Sequence, residues 1–232
     1  MTIKPKFRLA PIAAALSLVY ATGGQAAPAT WATDISSSWH TGANWGGAVP
    51  ANGDDVTIFR GVPVTVTYNS GTTSLVSLFL GSSTQTLAIA AGTLNTTTLN
   101  NLGTVTMTGG TFGVGSGNSG VMNLNGGNVA LTGTLTLTGA VRLQSGTITG
   151  GTVQQSGANA LVFTNSSGVL DGVTLRGTMN IGDAANTAGR VRISNGLTVL
   201  TEGGGSPGVI NVGIAAGATG AALGFTGTQN FD

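Results

Sequence analysis

Two adjacent carboxylates are the first residues in this sequence that could do chemistry. Asp54 and Asp55 follow Gly53, and general acid–base catalysis needs carboxylates placed close together. On a strand, however, neighbouring side chains point to opposite faces, so these two would diverge. Calcium needs about six to eight oxygen ligands, and no Asp-rich repeat supplies them. The pair therefore predicts a turn before the first strand, with calcium binding or catalysis as the alternative.

The other residue types used in catalysis are isolated. His40 is the only histidine and there is no cysteine, so the usual zinc ligand sets are missing. A serine nucleophile needs a base, and His40 is the sole candidate. The glycine-rich loops lack the lysine and the following helix of a phosphate-binding loop. We predict no catalytic residue, no metal ligand and no cofactor, and a structural role for His40.

Two groups of residues could contact a glycan. Trp31, Trp39 and Trp45 are all the tryptophans of the chain, and their large apolar faces could stack on sugars. Arg190 and Arg192 alternate along one run, which places both on one strand face, where they could dock an acidic glycan. Each group also has a structural alternative: the tryptophans could cover one end of the fold, and the arginines could be an ordinary surface pair.

The composition excludes an ordinary helical or α/β enzyme domain. The chain has 232 residues, of which 40 are Gly, 36 are Thr and only 6% are charged, against about 25% in a typical soluble domain. The hydrophobic fraction of 41% opposes charge-driven disorder. Six prolines and no three-residue glycine period exclude collagen. Without cysteine, stability must come from packing and backbone pairing rather than disulfides.

The N-terminus predicts a secretory signal peptide over residues 1–26. Lys4, Lys6 and Arg8 precede an apolar run, Leu9–Ala21, which is too short to span a bilayer. Small residues follow, and cleavage is expected after Ala26 or Ala27. The mature chain then has five arginines, no lysine and seven acidic residues, a formal charge of −2. This charge excludes a basic nucleic-acid surface, and no second apolar segment predicts a transmembrane helix.

From residue 56 onward, short runs alternate apolar residues with Thr, Ser or Asn. Thr104–Thr108 is an example, and this period of two with β-branched residues predicts strands. Gly-Gly pairs recur at Gly109, Gly126 and Gly150, at spacings of 17 and 24 residues, a length that suits one turn of a solenoid. We predict an all-β, right-handed parallel β-helix. An antiparallel sandwich and an outer-membrane barrel remain as alternatives.

The two ends of such a stack would differ. Residues 27–55 hold the three tryptophans and predict an N-terminal cap, followed by β-helix repeats over residues 56–232. At about 20 residues per turn, the repeats predict about nine turns, a rod about 43 Å long. Phe225 and Phe231 are the only aromatics after Phe163. The β-helix is therefore expected to be incomplete at its C-terminal end, with an edge that can pair.

The sequence resembles the passenger regions of bacterial autotransporters and related secreted β-helix adhesins. The resemblance rests on the opening Trp39–Val56 and on the Gly/Thr-rich stretches Gly146–Thr152 and Leu170–Leu175. It implies right-handed β-helix turns and display at the cell surface. Autotransporters end in a membrane barrel and related proteins in a sorting tail, whereas this chain ends at Asp232 with neither. A fragment, a truncated reading frame or a freely released protein is therefore expected.

These observations predict a non-enzymatic secreted or cell-surface β-solenoid, an adhesin or structural protein of the bacterial outer surface. Its expected partners are host or matrix glycans or surface proteins, with Trp31, Trp39, Trp45, Arg190 and Arg192 as the candidate contacts. The alternative is a β-helix enzyme that acts on polysaccharides. Seven dispersed acidic residues favour the first function, because polysaccharide cleavage generally uses clustered carboxylates.

Overall fold

A computed structural model describes residues 27–157, 160–214 and 220–227. The predicted signal peptide and Phe231 lie outside these residues. The described chain forms strands and one short turn of 3-10 helix, Gly42–Trp45, with no α-helix. The strands are β1 (Pro28–Thr30), β2 (Ser37–Ser38), β3 (Asp55–Ile58), β4 (Val64–Tyr68), β5 (Thr72–Leu80), β6 (Gln85–Ile89), β7 (Thr93–Met107), β8 (Thr111–Leu124), β9 (Asn128–Leu131), β10 (Thr134–Leu137), β11 (Val141–Leu143), β12 (Thr147–Thr149), β13 (Thr152–Gln154), β14 (Leu161–Phe163), β15 (Gly168–Arg176), β16 (Met179–Ile181), β17 (Arg190–Leu200), β18 (Ile210–Val212) and β19 (Ala222–Phe225).

These strands pair in parallel, and nearly all of them pair with the counterpart in the next turn of the chain. The exception is on face 2 of the C-terminal turns, where β16 pairs with β18 in a separate two-stranded sheet and not with β14. The pairing runs, for example, from β3 to β5 and from β5 to β7. One isolated antiparallel bridge joins Leu200 to Pro207. The prediction of an all-β parallel β-helix is confirmed, and the antiparallel alternatives do not hold. The right hand of the coil remains a prediction.

The register divides the wall of the solenoid into three faces, each with inward and outward rows of side chains. The longest strands bend round the corners between these faces. Face 1 carries the stacked positions Asp55, Ser77, Thr98, Ser116, Thr134, Thr152, Thr174 and Thr198. Face 2 carries Val66, Leu87, Val105, Met122, Val141 and Leu161 at one inward row. Face 3 carries Thr72, Thr93, Thr111, Asn128, Thr147 and Val169.

The described residues form about seven turns of solenoid, fewer than the nine predicted. Between Asp55 and Ser194, every turn contributes one strand segment to each of the three faces. At about 4.8 Å per turn these turns form a stack about 34 Å long. The prediction was too high because the repeat lengthens toward the C-terminus. It is 18 residues between Thr98 and Ser116 but 32 between the paired Arg190 and Ala222.

The core is a set of apolar rows that run along the solenoid axis. One row on face 1 contains the buried Val56, Leu78 and Leu99, and a row on face 3 contains Leu94 and Phe112. Because side chains alternate along each strand, the intervening residues point outward, and most of them are Thr, Ser or Asn. The observed alternation of buried and exposed residues is therefore the one that the sequence pattern predicts.

The segment from residue 27 to residue 54 is itself part of the stack. Strand β1 pairs with β3, and β2 pairs with β4, in the same parallel sense as the later turns. The N–H of Asp55 also donates to the carbonyl of Ala27 at 3.0 Å. The predicted boundary near residue 55 thus marks a change in composition within one continuous solenoid.

One corner of the solenoid, between faces 2 and 3, is a column of glycines. Gly71, Gly92, Gly110 and Gly127 occupy equivalent positions, with φ between 70° and 78°. The carbonyl of Gly92 accepts a hydrogen bond from Thr111 N–H at 2.8 Å, and its neighbours in the column repeat this contact. A Cβ on Gly110 would lie 2.6 Å from the Gly92 carbonyl oxygen. Glycine is required both by the left-handed backbone and by the close approach of successive turns.

The three Gly-Gly pairs seen in the sequence are not all equivalent. Gly109-Gly110 and Gly126-Gly127 lie at this corner, but Gly150-Gly151 lies at the corner between faces 3 and 1. The spacing of 24 residues therefore compared different corners, whereas the spacing of 17 measures a true turn.

We expect Gly110→Ala to destabilise the protein more than Gly71→Ala. Both residues have left-handed backbones, which cost an L-residue about 1–2 kcal/mol. Only Gly110 lies over a preceding glycine carbonyl; a Cβ on Gly71 meets nothing within 4 Å. Thermal unfolding followed by circular dichroism measures the difference.

Gly61→Ala is the matched control, because that glycine lacks a left-handed φ and a Cβ there meets open space. Its unfolding temperature should not change. Equal losses for Gly71→Ala and Gly110→Ala would contradict the role assigned to the carbonyl contact.

Candidate functional site

The three tryptophans form one aromatic cluster inside the first turn. Trp31 and Trp39 have no exposed surface and Trp45 is 7% exposed. The Trp45 ring centroid lies 5.0 Å from that of Trp31 and 4.8 Å from that of Trp39, both in edge-to-face geometry. Tyr68, in the next turn, packs against Trp39 at 5.5 Å. The cluster thus joins the first turn to the second through their interiors.

Local chain geometry explains how the cluster forms. Trp31 and Trp39 directly follow β1 and β2. The backbone N–H of Trp31 donates to the Thr57 carbonyl, and that of Trp39 donates to the Thr67 carbonyl. The 3-10 turn ends at Trp45, whose Nε1–H donates to the Trp39 carbonyl at 2.7 Å. The aromatic cluster supports the predicted cap in part. It leaves no open ring face on Trp31 or Trp39, so neither can stack on a sugar in this structure.

His40 lies beside this cluster, with its ring 5.0 Å from the Tyr68 ring. Its backbone N–H donates to Ser38 Oγ at 3.1 Å. Its Nε2 is buried and has no hydrogen-bond partner among the described residues. His40 thus lies next to aromatic rings, and its structural role stays a prediction.

Asp54 and Asp55 point to different partners. Asp54 Oδ2 accepts the Ala51 N–H at 2.8 Å within the turn before β3. Asp55 lies on β3 and accepts a hydrogen bond at 2.5 Å from Ser77 Oγ in the next turn. Asp54 therefore closes the tight turn before β3, whereas Asp55 links two successive turns of the solenoid. The two carboxylates are engaged with separate partners.

The remaining described aspartates are also engaged locally. Asp34 forms an ion pair with Arg60 at 2.6 Å, Asp171 accepts from Asn195 Nδ2, and Asp183 caps its own turn by accepting the Ala185 N–H. Among the described residues, no group of three or more His, Cys, Asp or Glu side chains could hold a metal ion.

Arg190 and Arg192 lie together on the outer surface of face 3, as their spacing predicts. Both side chains are exposed, and the next turn places only Ala222 and Gly224 beside them. Arg190 donates to the Gly220 carbonyl at 3.3 Å and Arg192 to the Ser167 carbonyl at 3.4 Å. Within the described part of the chain neither arginine has a carboxylate partner, so two uncompensated cations lie on this strand at positions whose backbones are about 7 Å apart.

An open groove of about 710 Å³ lies over the outer surface of face 2 near the C-terminal turns. It is lined by Asn180, Asn211 and Asp183 among others. Asn211 Nδ2 donates to Asn180 Oδ1 at 2.8 Å, and the Asp183 carboxylate is used in its turn. The two asparagines of the groove are therefore bonded to each other, and Asp183 is bonded within its own tight turn.

The outer surface of face 1 carries a regular array of polar residues that was not predicted from the sequence. Hydroxyl groups of Thr98, Ser116, Thr134 and Thr152 stack in one row along the axis. These residues recur at 18-residue intervals, and this spacing is the signal that could have revealed them. A second row, two residues along each strand, carries Asn100, Asn118 and Thr136.

Comparison with protein-family models, with curated proteins and with solved structures finds no match to this chain. Within the described residues, no helix is both long and apolar enough to cross a membrane.

We expect Trp39→Ala to lower the stability of the whole solenoid. The substitution removes a wholly buried ring that contacts both Trp45 and Tyr68, and such changes cost about 3–5 kcal/mol. Trp39→Ala combined with Trp45→Ala should lower the unfolding temperature further and increase aggregation, measured by light scattering.

Ile35→Ala serves as the control, because Ile35 belongs to the same turn but is 69% exposed. Its stability should change by about 0.5 kcal/mol or less. A Trp39→Ala protein that unfolds at the wild-type temperature would show that the cluster does not hold the first turn in place.

Proposed function

We propose that this chain is a non-enzymatic, exported β-solenoid that acts at the bacterial cell surface as an adhesive or structural protein. Its resemblance to autotransporter passenger regions led to this proposal. The observation that carries it is the outer surface: rows of neutral hydroxyl and amide groups cover the faces, while the described aspartates are engaged in turns, ion pairs or inter-turn contacts. Such a surface offers many weak contacts and no assembled catalytic group.

Export through the predicted signal peptide is part of this proposal. Strand β1 begins at Pro28, next to the expected cleavage after Ala26 or Ala27. Expression of the full chain in a Gram-negative host, followed by fractionation and N-terminal sequencing, tests it. A mature protein that starts at Ala27 or Pro28 is expected outside the cytoplasm, whereas an uncleaved cytoplasmic chain would contradict export.

We expect no hydrolase or lyase activity from the exported protein. Asp54 and Asp55 bond to different partners, one within its own tight turn and one in the next turn of the solenoid, which supports this expectation. Incubation with pectins, alginates and glycosaminoglycans, followed by analysis of chain length, is the measurement. Reproducible cleavage that disappears in Asp54→Asn or Asp55→Asn would support the polysaccharide-acting enzyme instead.

Binding of acidic glycans is a second candidate function, favoured by Arg190 and Arg192. Two exposed guanidinium groups without carboxylate partners can bind carboxylate or sulfate groups. The double substitution Arg190→Ala and Arg192→Ala should weaken binding to heparin or alginate, and wild-type binding should fall as salt is raised.

Arg142→Ala is the matched control, because Arg142 is an exposed arginine on face 2. It should bind acidic glycans as the wild type does. An equal loss in Arg142→Ala would indicate general charge attraction rather than a site on face 3.

A further inference from the structure

The outer surface of face 1 carries two parallel rows of neutral polar groups over four consecutive turns. The first row is Thr98, Ser116, Thr134 and Thr152, and the second is Asn100, Asn118, Thr136 and Gln154. Along the axis the members of a row are about 4.8 Å apart, and across the strand the rows are about 7 Å apart. The backbone pairing fixes this spacing, so the side-chain groups are already arranged before any ligand arrives.

The central groups of these rows differ from outer polar groups of face 3, which bond to one another, and they are more exposed than Thr106 and Asn123 on face 2. At the C-terminal end of the second row, Gln154 Nε2 already donates to the carbonyls of Gln155 and Glu202. On face 3, Asn95 donates to Ser74 at 3.1 Å, and Thr149 donates to Asn128 at 2.9 Å. On face 1, no side-chain hydrogen bond engages Thr98, Asn100, Ser116 or Asn118 within the described chain, and all four are exposed. Their donors and acceptors are therefore free for a ligand.

An aromatic ring stands at the N-terminal end of the second row. Phe79 pairs in register with Asn100 and precedes it in the same outward row. The ring is partly exposed, and it offers an apolar face of the kind that packs against the C–H groups of a sugar. The row thus combines one stacking surface with a series of hydrogen-bonding groups.

The chemistry of the array selects a neutral ligand. No charged side chain occurs in either row from Ser77 and Phe79 to Thr152 and Gln154, so an anionic chain would gain no ion pair there. An apolar protein partner would desolvate at least seven hydroxyl and amide groups, at a cost unless each is paired. An extended chain of neutral sugars instead presents hydroxyl groups at intervals close to the separation of the turns.

We propose that this two-row surface binds a neutral, extended polysaccharide lying along the solenoid axis, with Phe79 stacking on one ring and Asn100 and Asn118 bonding the rings that follow. This proposal rests on the proposed binding function and names the class of ligand. It places the site on a different face from Arg190 and Arg192.

The test is co-sedimentation of the full exported chain with insoluble neutral polysaccharides, namely cellulose, chitin and starch granules. Wild type should bind at least one of them. The double substitution Asn100→Ala and Asn118→Ala should weaken that binding about tenfold, since two hydrogen bonds are lost. Phe79→Ala should weaken it by a similar factor, and raised salt should have little effect.

Thr106→Ala combined with Asn123→Ala is the matched control, because these two residues stack in an outward row of face 2. The control should bind as the wild type does, and circular dichroism should show that all variants keep their unfolding temperature. If Phe79→Ala lowers the unfolding temperature, its binding result is set aside, and the variant with Asn100→Ala and Asn118→Ala alone tests the proposal.

The remaining outcomes separate this inference from the proposed function. Full binding by the Asn100/Asn118 variant, or an equal loss in the face 2 control, overturns the face 1 site. Binding of acidic glycans alone, lost in the Arg190/Arg192 variant, also overturns it but leaves the surface-binding function standing. A chain that is not exported and binds no polysaccharide of either class overturns both.

Discussion

Parallel pairing of each turn with the next determines the rest of this structure, because it places every side chain against its counterpart one turn away. Apolar residues then form continuous inner rows, such as Leu94 over Phe112 and Val129. Outward residues form rows as well, and like charges in adjacent turns would repel. A chain with 6% charged residues and 36 threonines meets this condition, because neutral hydroxyl and amide groups can be stacked without repulsion.

The corners are where the backbone must leave this regular pairing, and they are handled in two ways. At the corner between faces 2 and 3, glycine allows the left-handed turn and the close approach of carbonyl groups. At the corner between faces 1 and 2, buried amides bond the connecting segments: Gln85 donates to the Arg60 and Val62 carbonyls, and Gln155 accepts the Leu161 N–H at 2.7 Å. A buried backbone group needs such a partner, so these side chains let connections of unequal length enter the stack.

Alternation predicted the strands and their inward residues because it reports local geometry, and glycine frequency predicted the corners. Register is not local, which is why the predicted number of turns was too high and why the 24-residue spacing to Gly150-Gly151 did not measure a turn. The inner row that contains Leu80 continues with Asn101 and Ser119, both wholly buried. No apolar pattern identifies them as core residues. From the sequence alone, the tryptophans could be either exposed or buried. The pairing of β1 with β3 and of β2 with β4 is what brings their rings into the core.

A solenoid separates the residues that hold the fold from those that meet a partner more cleanly than a globular domain does. Inner rows and corner glycines set the stack, so outward residues such as Asn100 or Arg192 can differ from turn to turn without disturbing the core. Each turn contacts mainly its neighbours, and a ligand that runs along the axis meets one similar set of groups per turn. Affinity for a ligand of this kind would grow with the number of matched turns. Recognition by a row therefore needs no deep pocket, which is consistent with carboxylates that are used locally and polar groups that face solvent in register.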